Sequence, residues 1–247
     1  MLKLVKSEKL KRLIRQDDWE DLGISTPEMI VKVMSENRYE EAKALADYYI
    51  PEGKALHDLF CDWIWDLYTK IAEKNGEEAV YQYSRLTQET WMMRRTWKGL
   101  LKMSAEERVY VNAEIMRSHR CGPKQDGRIE IIVEEDRYSI KMDPCGSGGR
   151  MRRGDPVDGT PSRLGPPYNF GVTKKAYPWS WGRRNVPYYC IHCAINEILP
   201  IEWGSPLWVT GYSDDASEPC YWHFYKRPEL IPDIYFERLG FRKPKFA

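Results

Sequence analysis

The chain has 247 residues, enough for one large domain or two modest ones, and its 38 basic residues nearly balance its 37 acidic ones. With no large net charge, nothing in the composition favours binding to nucleic acid or to a membrane surface. No stretch approaches the ~18 consecutive apolar residues of a spanning helix, and the start shows no signal-peptide core but a pattern that predicts a charged helix. We therefore expect a cytoplasmic protein with reduced thiols that acts on a small molecule; nothing in the sequence indicates its oligomeric state.

Helical periodicity predicts a helical domain over residues 1–122. The run Ser25-Thr26-Pro27-Glu28 is expected to begin a helix, with Pro27 tolerated in its first turn and Glu28 suited to its positive end. Pro51 is expected to separate two of the helices that follow, and Ser104 resembles the first residue of a capping box. After the helix at Thr26, the predicted helices cover residues 39–49, 55–74, 77–103 and 105–120.

The second half of the chain changes to the period of strands. The predicted elements are strands over residues 128–134, 137–142, 207–212 and 220–225 and helices over 186–199 and 228–239. Their order predicts a second domain, residues 123–247, with an antiparallel sheet and helices on one face. The expected fold class is therefore α+β: an N-terminal helical bundle followed by an antiparallel sheet with helices and a cysteine metal site.

A long segment over residues 144–187 separates the two predicted pairs of strands. It contains seven prolines and eight glycines and is much longer than an ordinary connection. Its aromatic residues supply apolar area, so an ordered lid over the site is favoured over a flexible linker. These residues are Tyr168, Phe170, Tyr177, Trp179 and Trp181. The arginines between them could also suit single-stranded nucleic acid, but the near-zero net charge argues against that interpretation.

Four of the six cysteines are spaced so that they could bind one metal ion. Cys190 and Cys193 form a Cys-x-x-Cys pair, and Cys145 and Cys220 lie on other predicted elements of the same half. Thiolates favour zinc or an iron–sulfur cluster over magnesium or calcium. Four thiolates around zinc indicate a structural site, whereas a sphere opened to a histidine or to water would be catalytic.

Several other residues are candidates for catalytic or substrate-binding roles near the metal. His192 and His223 are expected to point away from at least one cysteine, which favours proton transfer over metal binding. Arg150 follows a glycine-rich turn and could hold a carboxylate. His57 lies four residues before Cys61 on one helix face and could contact the substrate, although a buried structural histidine also fits. The expected aromatic walls of the pocket are Trp179, Trp181 and Trp222.

The order of these motifs resembles that of the L-2-amino-thiazoline-4-carboxylate hydrolase-like family. The similarity rests on the Asp-Pro-Cys ending at Cys145, on Cys190 and Cys193 at a helix start, and on Cys220 before an aromatic strand. It covers the last half of the chain and implies a helical part joined to an α+β part that hydrolyses a small ring compound. The chain departs from the family pattern at Cys193, where an acidic residue is common, and in its long basic insertion.

Together these features predict a metal-dependent hydrolase, or a related lyase, that acts on a small aromatic or heterocyclic carboxylic acid. Zinc would polarise a carbonyl or imine group or activate water. In this reading His223 and His192 move protons and Arg150 holds the acid. Two alternatives remain: an iron–sulfur redox protein that uses the same four cysteines, and a non-catalytic ligand-binding module with structural zinc.

Overall fold

A computed structural model describes residues 3–246, except for the side chains of residues 91, 92, 93 and 95. The chain divides into two compact units, Met1–Leu59 and Phe60–Ala247, rather than at residue 122 as the change of period suggested. The helices after residue 60 belong with the sheet because Cys61 and Trp65 pack into one core with residues of the second half.

The first unit begins with a β-hairpin, where the sequence predicted a charged helix. Strands β1 (Leu4–Ser7) and β2 (Arg12–Arg15) pair antiparallel, and Lys11 takes the left-handed conformation that the turn requires, with φ of 56°. The expectation of a charged helix was wrong because it relied on the charged residues alone, whereas the two strands are held together by backbone hydrogen bonds between them. Helix α1 (Trp19–Leu22) follows the hairpin.

Helix α2 (Thr26–Ser35) begins as predicted, with the Ser25 hydroxyl accepting a hydrogen bond from the backbone N–H of Glu28. Helix α3 (Tyr39–Asn75) continues through Pro51, which the sequence analysis took for a break. Proline removes only one helical hydrogen bond, and one turn later the buried Lys54 ammonium donates to the Asp58 carboxylate at 2.5 Å. The core of the first unit consists of Met29, Val33, Ala42 and Leu45.

In the second unit, the single helix predicted over residues 77–103 is divided. Helices α4 (Glu77–Thr87) and α5 (Met93–Leu100) are joined by a π-helical turn over Gln88–Met92. Helix α6 (Ala105–Ser118) has the predicted capping box: Ser104 and Glu107 each accept from the other's backbone N–H.

The sheet confirms the α+β class. Its strands, β3 (Glu130–Val133), β4 (Arg137–Met142), β5 (Val209–Gly211) and β6 (Cys220–Tyr225), lie in the order β3-β4-β6-β5, and every neighbouring pair is antiparallel. Helices α7 (Gly148–Arg153), α8 (Ile191–Glu202) and α9 (Ile234–Glu237) complete the second unit. The last predicted helix is reduced to α9 and a 3₁₀ turn over Pro228–Leu230. Within residues 3–246, no helix has the length and apolar character needed to cross a membrane.

The segment over residues 144–187 is ordered, as predicted. It contains α7, which the sequence analysis did not foresee, and it is anchored by aromatic side chains. Trp179 stacks between Tyr81 and Tyr177, with ring centroids 5.6 and 4.2 Å away, and only 4 % of its surface is exposed. Trp181 is equally buried and stacks on Tyr212 at 4.8 Å.

A buried ionic contact on α8 joins three parts of the second unit. The Glu197 side chain is completely buried and accepts hydrogen bonds from Trp181 Nε1 at 2.8 Å and from the Arg238 guanidinium at 2.6 Å. Burial raises the pKa of Glu197, and the Arg238 charge opposes that rise. The contact therefore fixes the ordered loop and the C-terminal segment on one helix.

Replacement of Glu197 by leucine should destabilise the protein by about 3 kcal/mol, because it leaves the mostly buried Arg238 guanidinium without its carboxylate and Trp181 Nε1 without its acceptor. Glu202→Leu on the same helix is the matched control, since the Glu202–Arg85 pair is partly exposed and should contribute at most about 1 kcal/mol. Urea denaturation of both variants measures the difference. Equal losses in the two variants would show that the buried contact has no special role.

Candidate active site

The four cysteines predicted to act together line one cavity of about 250 Å³ in the second unit. We call it the cysteine–tryptophan cavity. Its other lining residues come mainly from α5, α6 and α8, from the loops, and from strands β4, β5 and β6. The wall comprises Cys145, Cys190, Cys193, Cys220, Trp97, Trp181, Trp208, Trp222, Asn112, Ile115, Met116, His119, Met142, Ser147, Gly148, Tyr189, His192, Asn196, Thr210 and Tyr212.

The four thiols do not form a closed metal sphere as they stand. Cys145, Cys190, Cys193 and Cys220 are not joined by disulfides, and among the residues described no three cysteine sulfurs lie within 4.8 Å of one another. A tetrahedral site with Zn–S bonds of ~2.3 Å holds every pair of sulfurs ~3.8 Å apart. Zinc binding by Cys145, Cys190, Cys193 and Cys220 would therefore require these sulfurs to move together, and it stays a prediction.

Cys145 differs from the other three thiols in its surroundings. Its sulfur accepts a hydrogen bond from the backbone N–H of Gly149 at 2.9 Å. The thiol of Cys220 lowers the pKa of Cys145 by donating to it, and backbone N–H groups add to this effect, while burial opposes it. The same contact raises the pKa of Cys220. Burial also raises the pKa of Cys190, to about 12, and that of Cys193. Cys145 is thus the thiol that ionises first.

The glycine-rich turn after Cys145 permits close packing around the sulfurs. A side chain at Gly148 would place its Cβ only 2.5 Å from the Cys190 sulfur, and one at Gly146 would lie 1.8 Å from the carbonyl oxygen of His119. Glycine is therefore required at both positions by sterics. This explains the glycine run without the anion-binding role that such runs also suggest.

Two histidines contribute to the cavity wall. His119 Nε2 lies 2.6 Å from the hydroxyl oxygen of Ser147, whose side chain also lowers the pKa of the neighbouring Cys145. His192 Nδ1 lies 2.5 Å from the carbonyl oxygen of Tyr189. Because a carbonyl only accepts, Nδ1 carries the hydrogen, and burial lowers the pKa of His192. Its Nε2 is therefore an acceptor, and it accepts from the Cys193 thiol at 3.6 Å. His192 is therefore suited to accept a proton.

The apolar wall is built from stacked tryptophans. Trp208 lies 4.5 Å from Trp222 with nearly parallel rings and 4.7 Å from Trp97, between ring centroids. These rings form a flat surface that suits a planar ligand. Trp181 and Trp222, both predicted from the sequence to line the pocket, are part of this wall.

Other predicted site residues lie outside the cavity. His223 faces the opposite side of β6 from Cys220 and Trp222; its Nδ1 lies 2.8 Å from the Ser139 hydroxyl, and burial lowers its pKa to about 4. Arg150 is 1 % exposed and lies 3.5 Å from the carboxylate of Asp62, while its Nε donates to a backbone carbonyl. Neither side chain lines the cysteine–tryptophan cavity.

Two further predicted site residues, Trp179 and His57, also lie outside the cavity wall. Trp179 is buried in its aromatic stack rather than in the cavity wall. His57 belongs to the first unit, where its Nδ1 lies 2.9 Å from the Asp58 carboxylate. In contrast, Ser147, which lies in the cavity wall beside His119, was not predicted as a site residue.

Comparison with known proteins finds no family model, no curated protein and no solved structure that matches the chain. The resemblance to the L-2-amino-thiazoline-4-carboxylate hydrolase-like family therefore stays a prediction. Function has to be inferred from the chemistry of the cavity.

Cys145 should react with iodoacetamide faster than the other cavity thiols near neutral pH, with a pH midpoint below the ordinary cysteine value of about 8.5. Cys220→Ala should move that midpoint upward, because it removes the donor that stabilises the Cys145 thiolate. Ser35→Ala, at an exposed position in the first unit, is the control and should leave the midpoint unchanged. Peptide mass spectrometry across a pH series measures these rates, and a midpoint unaffected by Cys220→Ala would contradict the assignment.

Proposed function

We propose that the chain is a cysteine-dependent hydrolase that acts on a small ring compound bound in the cysteine–tryptophan cavity. The observation that carries the proposal is the Cys145 sulfur, which accepts the Gly149 N–H at 2.9 Å in a cavity walled by tryptophans. A thiolate held in this way is a nucleophile, and the flat walls suit a planar substrate. This keeps the hydrolase class expected from the sequence but transfers the chemistry from a metal to a thiol.

The residues of the cavity can complete such a reaction. The Cys145 thiolate attacks the electrophilic carbon of an acyl group, and the bond from that carbon to the leaving group breaks as a thioester forms. Cys220, whose thiol contacts Cys145, gives its proton to the leaving group. Water then adds to the thioester carbon and expels the Cys145 thiolate. One proton of the water restores the thiol of Cys220, and the other leaves with the acid product.

The role of His192 is to accept and return the proton of the attacking water. Its Nε2 carries a lone pair, since Nδ1 is committed as a donor to the Tyr189 carbonyl. The low pKa that burial gives His192 keeps the ring neutral and able to accept. His119 supports Cys145 from the other side through the Ser147 hydroxyl.

A chromogenic ester tests the nucleophile without knowledge of the natural substrate. The protein should be acetylated by 4-nitrophenyl acetate at Cys145, and Cys145→Ser should reduce nitrophenolate release by about 100-fold or more. Ser35→Ala should retain the full rate, because this residue is exposed and belongs to the first unit. Peptide mass spectrometry locates the acetyl group. An adduct at another residue, or undiminished release by Cys145→Ser, would refute the nucleophilic role.

Metal binding by the same four cysteines is the second candidate, and the observation that favours it is their common position on one cavity. Zinc or an iron–sulfur cluster would neutralise the thiolates and make Cys145 unavailable as a nucleophile. The two candidates are therefore mutually exclusive for the same molecules.

Elemental analysis of protein purified without chelator separates them. A metal site predicts about one zinc per chain, lost in Cys193→Ser and retained in Cys121→Ser, with visible absorption if the group is an iron–sulfur cluster instead. Protein with no stoichiometric metal would exclude this second candidate. The thiol mechanism predicts that result, together with an alkylatable Cys145.

A further inference from the structure

Apart from Thr210 Oγ1, whose side chain contacts the Glu197 carboxylate, three polar atoms in the wall of the cysteine–tryptophan cavity have no hydrogen-bond partner among the residues that the structure describes. They are Oδ1 of Asn112, Oδ1 of Asn196 and Nε1 of Trp208. These residues are 0 %, 6 % and 2 % exposed, so the atoms are shielded from bulk solvent. A buried polar atom without a partner costs about 1–3 kcal/mol, and three on one cavity indicate a ligand that completes them.

The identity of these atoms defines what the ligand must offer. The Asn112 amide nitrogen donates to the Arg108 carbonyl oxygen at 2.8 Å, which fixes the orientation of the amide because a carbonyl only accepts. The unpartnered atom of Asn112, a residue of the cavity wall, is therefore an acceptor. The indole N–H of Trp208 is only a donor. A matching ligand carries both an N–H or O–H donor and an acceptor.

The charge of the wall limits the ligand further. Among the side chains that the structure describes, no Asp, Glu, Lys or Arg lines the cavity. A carboxylate placed there would lose its hydration without gaining a cation, and a thiolate at Cys145 would repel it. Arg150, expected from the sequence to hold such a group, points elsewhere and lies against Asp62.

We propose that the cavity selects an uncharged planar ring compound that bears an amide-type group, with its N–H recognised by Asn112 and its carbonyl oxygen by Trp208. Asn196 provides a second polar contact for the same group. This inference deepens the proposed function by naming its substrate class: cyclic or aryl amides, lactams and related amino-heterocycles rather than free acids.

The size of the cavity agrees with one ring and one such group. Its volume is about 250 Å³, which leaves space for a benzene-sized ring against Trp208 and Trp222 but not for a fused multi-ring system with long substituents. Stacking on these tryptophans supplies affinity that does not depend on charge. The hydrogen bonds to Asn112 Oδ1 and Trp208 Nε1 supply selectivity.

Three probes of nearly equal shape test the selectivity on the unmodified protein. Benzamide has the N–H donors and the acceptor, acetophenone lacks the donors, and benzoate is an anion. At pH about 8, where an ordinary histidine is neutral, ligand-observed NMR titration should give benzamide a Kd at least about tenfold lower than that of either analogue. Benzoate or acetophenone binding as tightly as benzamide overturns the proposal.

A variant then assigns the selectivity to Asn112. Asn112→Leu should reduce the ratio of the acetophenone and benzamide Kd values from about tenfold to about one, because it removes the acceptor and keeps the volume. Gln88→Met is the matched control: Gln88 is also a buried amide with an unpartnered oxygen, but it lies outside the cavity, so the ratio should not change. Trp208→Phe provides a second variant in case Asn112→Leu does not fold. It should weaken the binding of benzamide and of acetophenone by the same factor, because both ligands carry the carbonyl oxygen that Trp208 recognises.

The outcome is separable from that of the proposed hydrolase function. Cys145→Ser should keep the preference for benzamide, since the recognition does not depend on the nucleophile. Selective binding of benzamide without acylation at Cys145 would support the recognition proposal and refute the hydrolase. Acylation at Cys145 without selective binding would support the hydrolase and refute the recognition proposal. No benzamide binding at about 10 mM would mean that water alone satisfies the three atoms, and the proposal would be overturned.

Discussion

The carboxylate of Glu197 holds together the parts of the second unit that build the cavity. It lies completely buried and accepts from Trp181 in the long loop and from Arg238 near the C-terminus. Trp181 is thereby kept in the cavity wall, and the helix that carries Glu197 also carries Cys193 and Asn196 into it. One charge pair thus positions a thiol, an amide and an aromatic wall relative to each other.

The alternation of strand β6 decides which residues reach the cavity. Cys220 and Trp222 share its inner face, opposite Met142 and Ile140 of β4, while His223 between them faces Ser139 on the other side. A single strand therefore separates Cys220, whose thiol contacts Cys145, from His223, which the sequence analysis assigned to proton transfer. The resulting wall is uncharged and aromatic, which favours recognition of neutral rings and a thiolate whose charge is stabilised by hydrogen bonds rather than by cations.

Spacing and periodicity were sufficient to predict the sheet and the capped helices, because each depends on local pattern or on short motifs. The four cysteines predicted as metal ligands line one cavity, but their sulfurs do not form a cluster. They were not sufficient for Arg150, whose partner Asp62 is far away in sequence, or for the unit boundary, which depends on how Trp65 packs. Asn112 carried no signal at all, since its importance lies in one atom that the fold buries without a partner. Helix continuity through Pro51 likewise depended on neighbouring turns rather than on proline itself.

The account requires that ring recognition and the reactive thiol occupy one cavity, and a protection experiment tests that requirement directly. The rate of Cys145 alkylation by iodoacetamide would be measured at increasing concentrations of benzamide, with peptide mass spectrometry to follow the residue. The account predicts saturable protection whose half-maximal concentration equals the benzamide Kd, and weaker protection by acetophenone at equal concentration. A rate of Cys145 alkylation that stays constant while benzamide saturates the protein would contradict it.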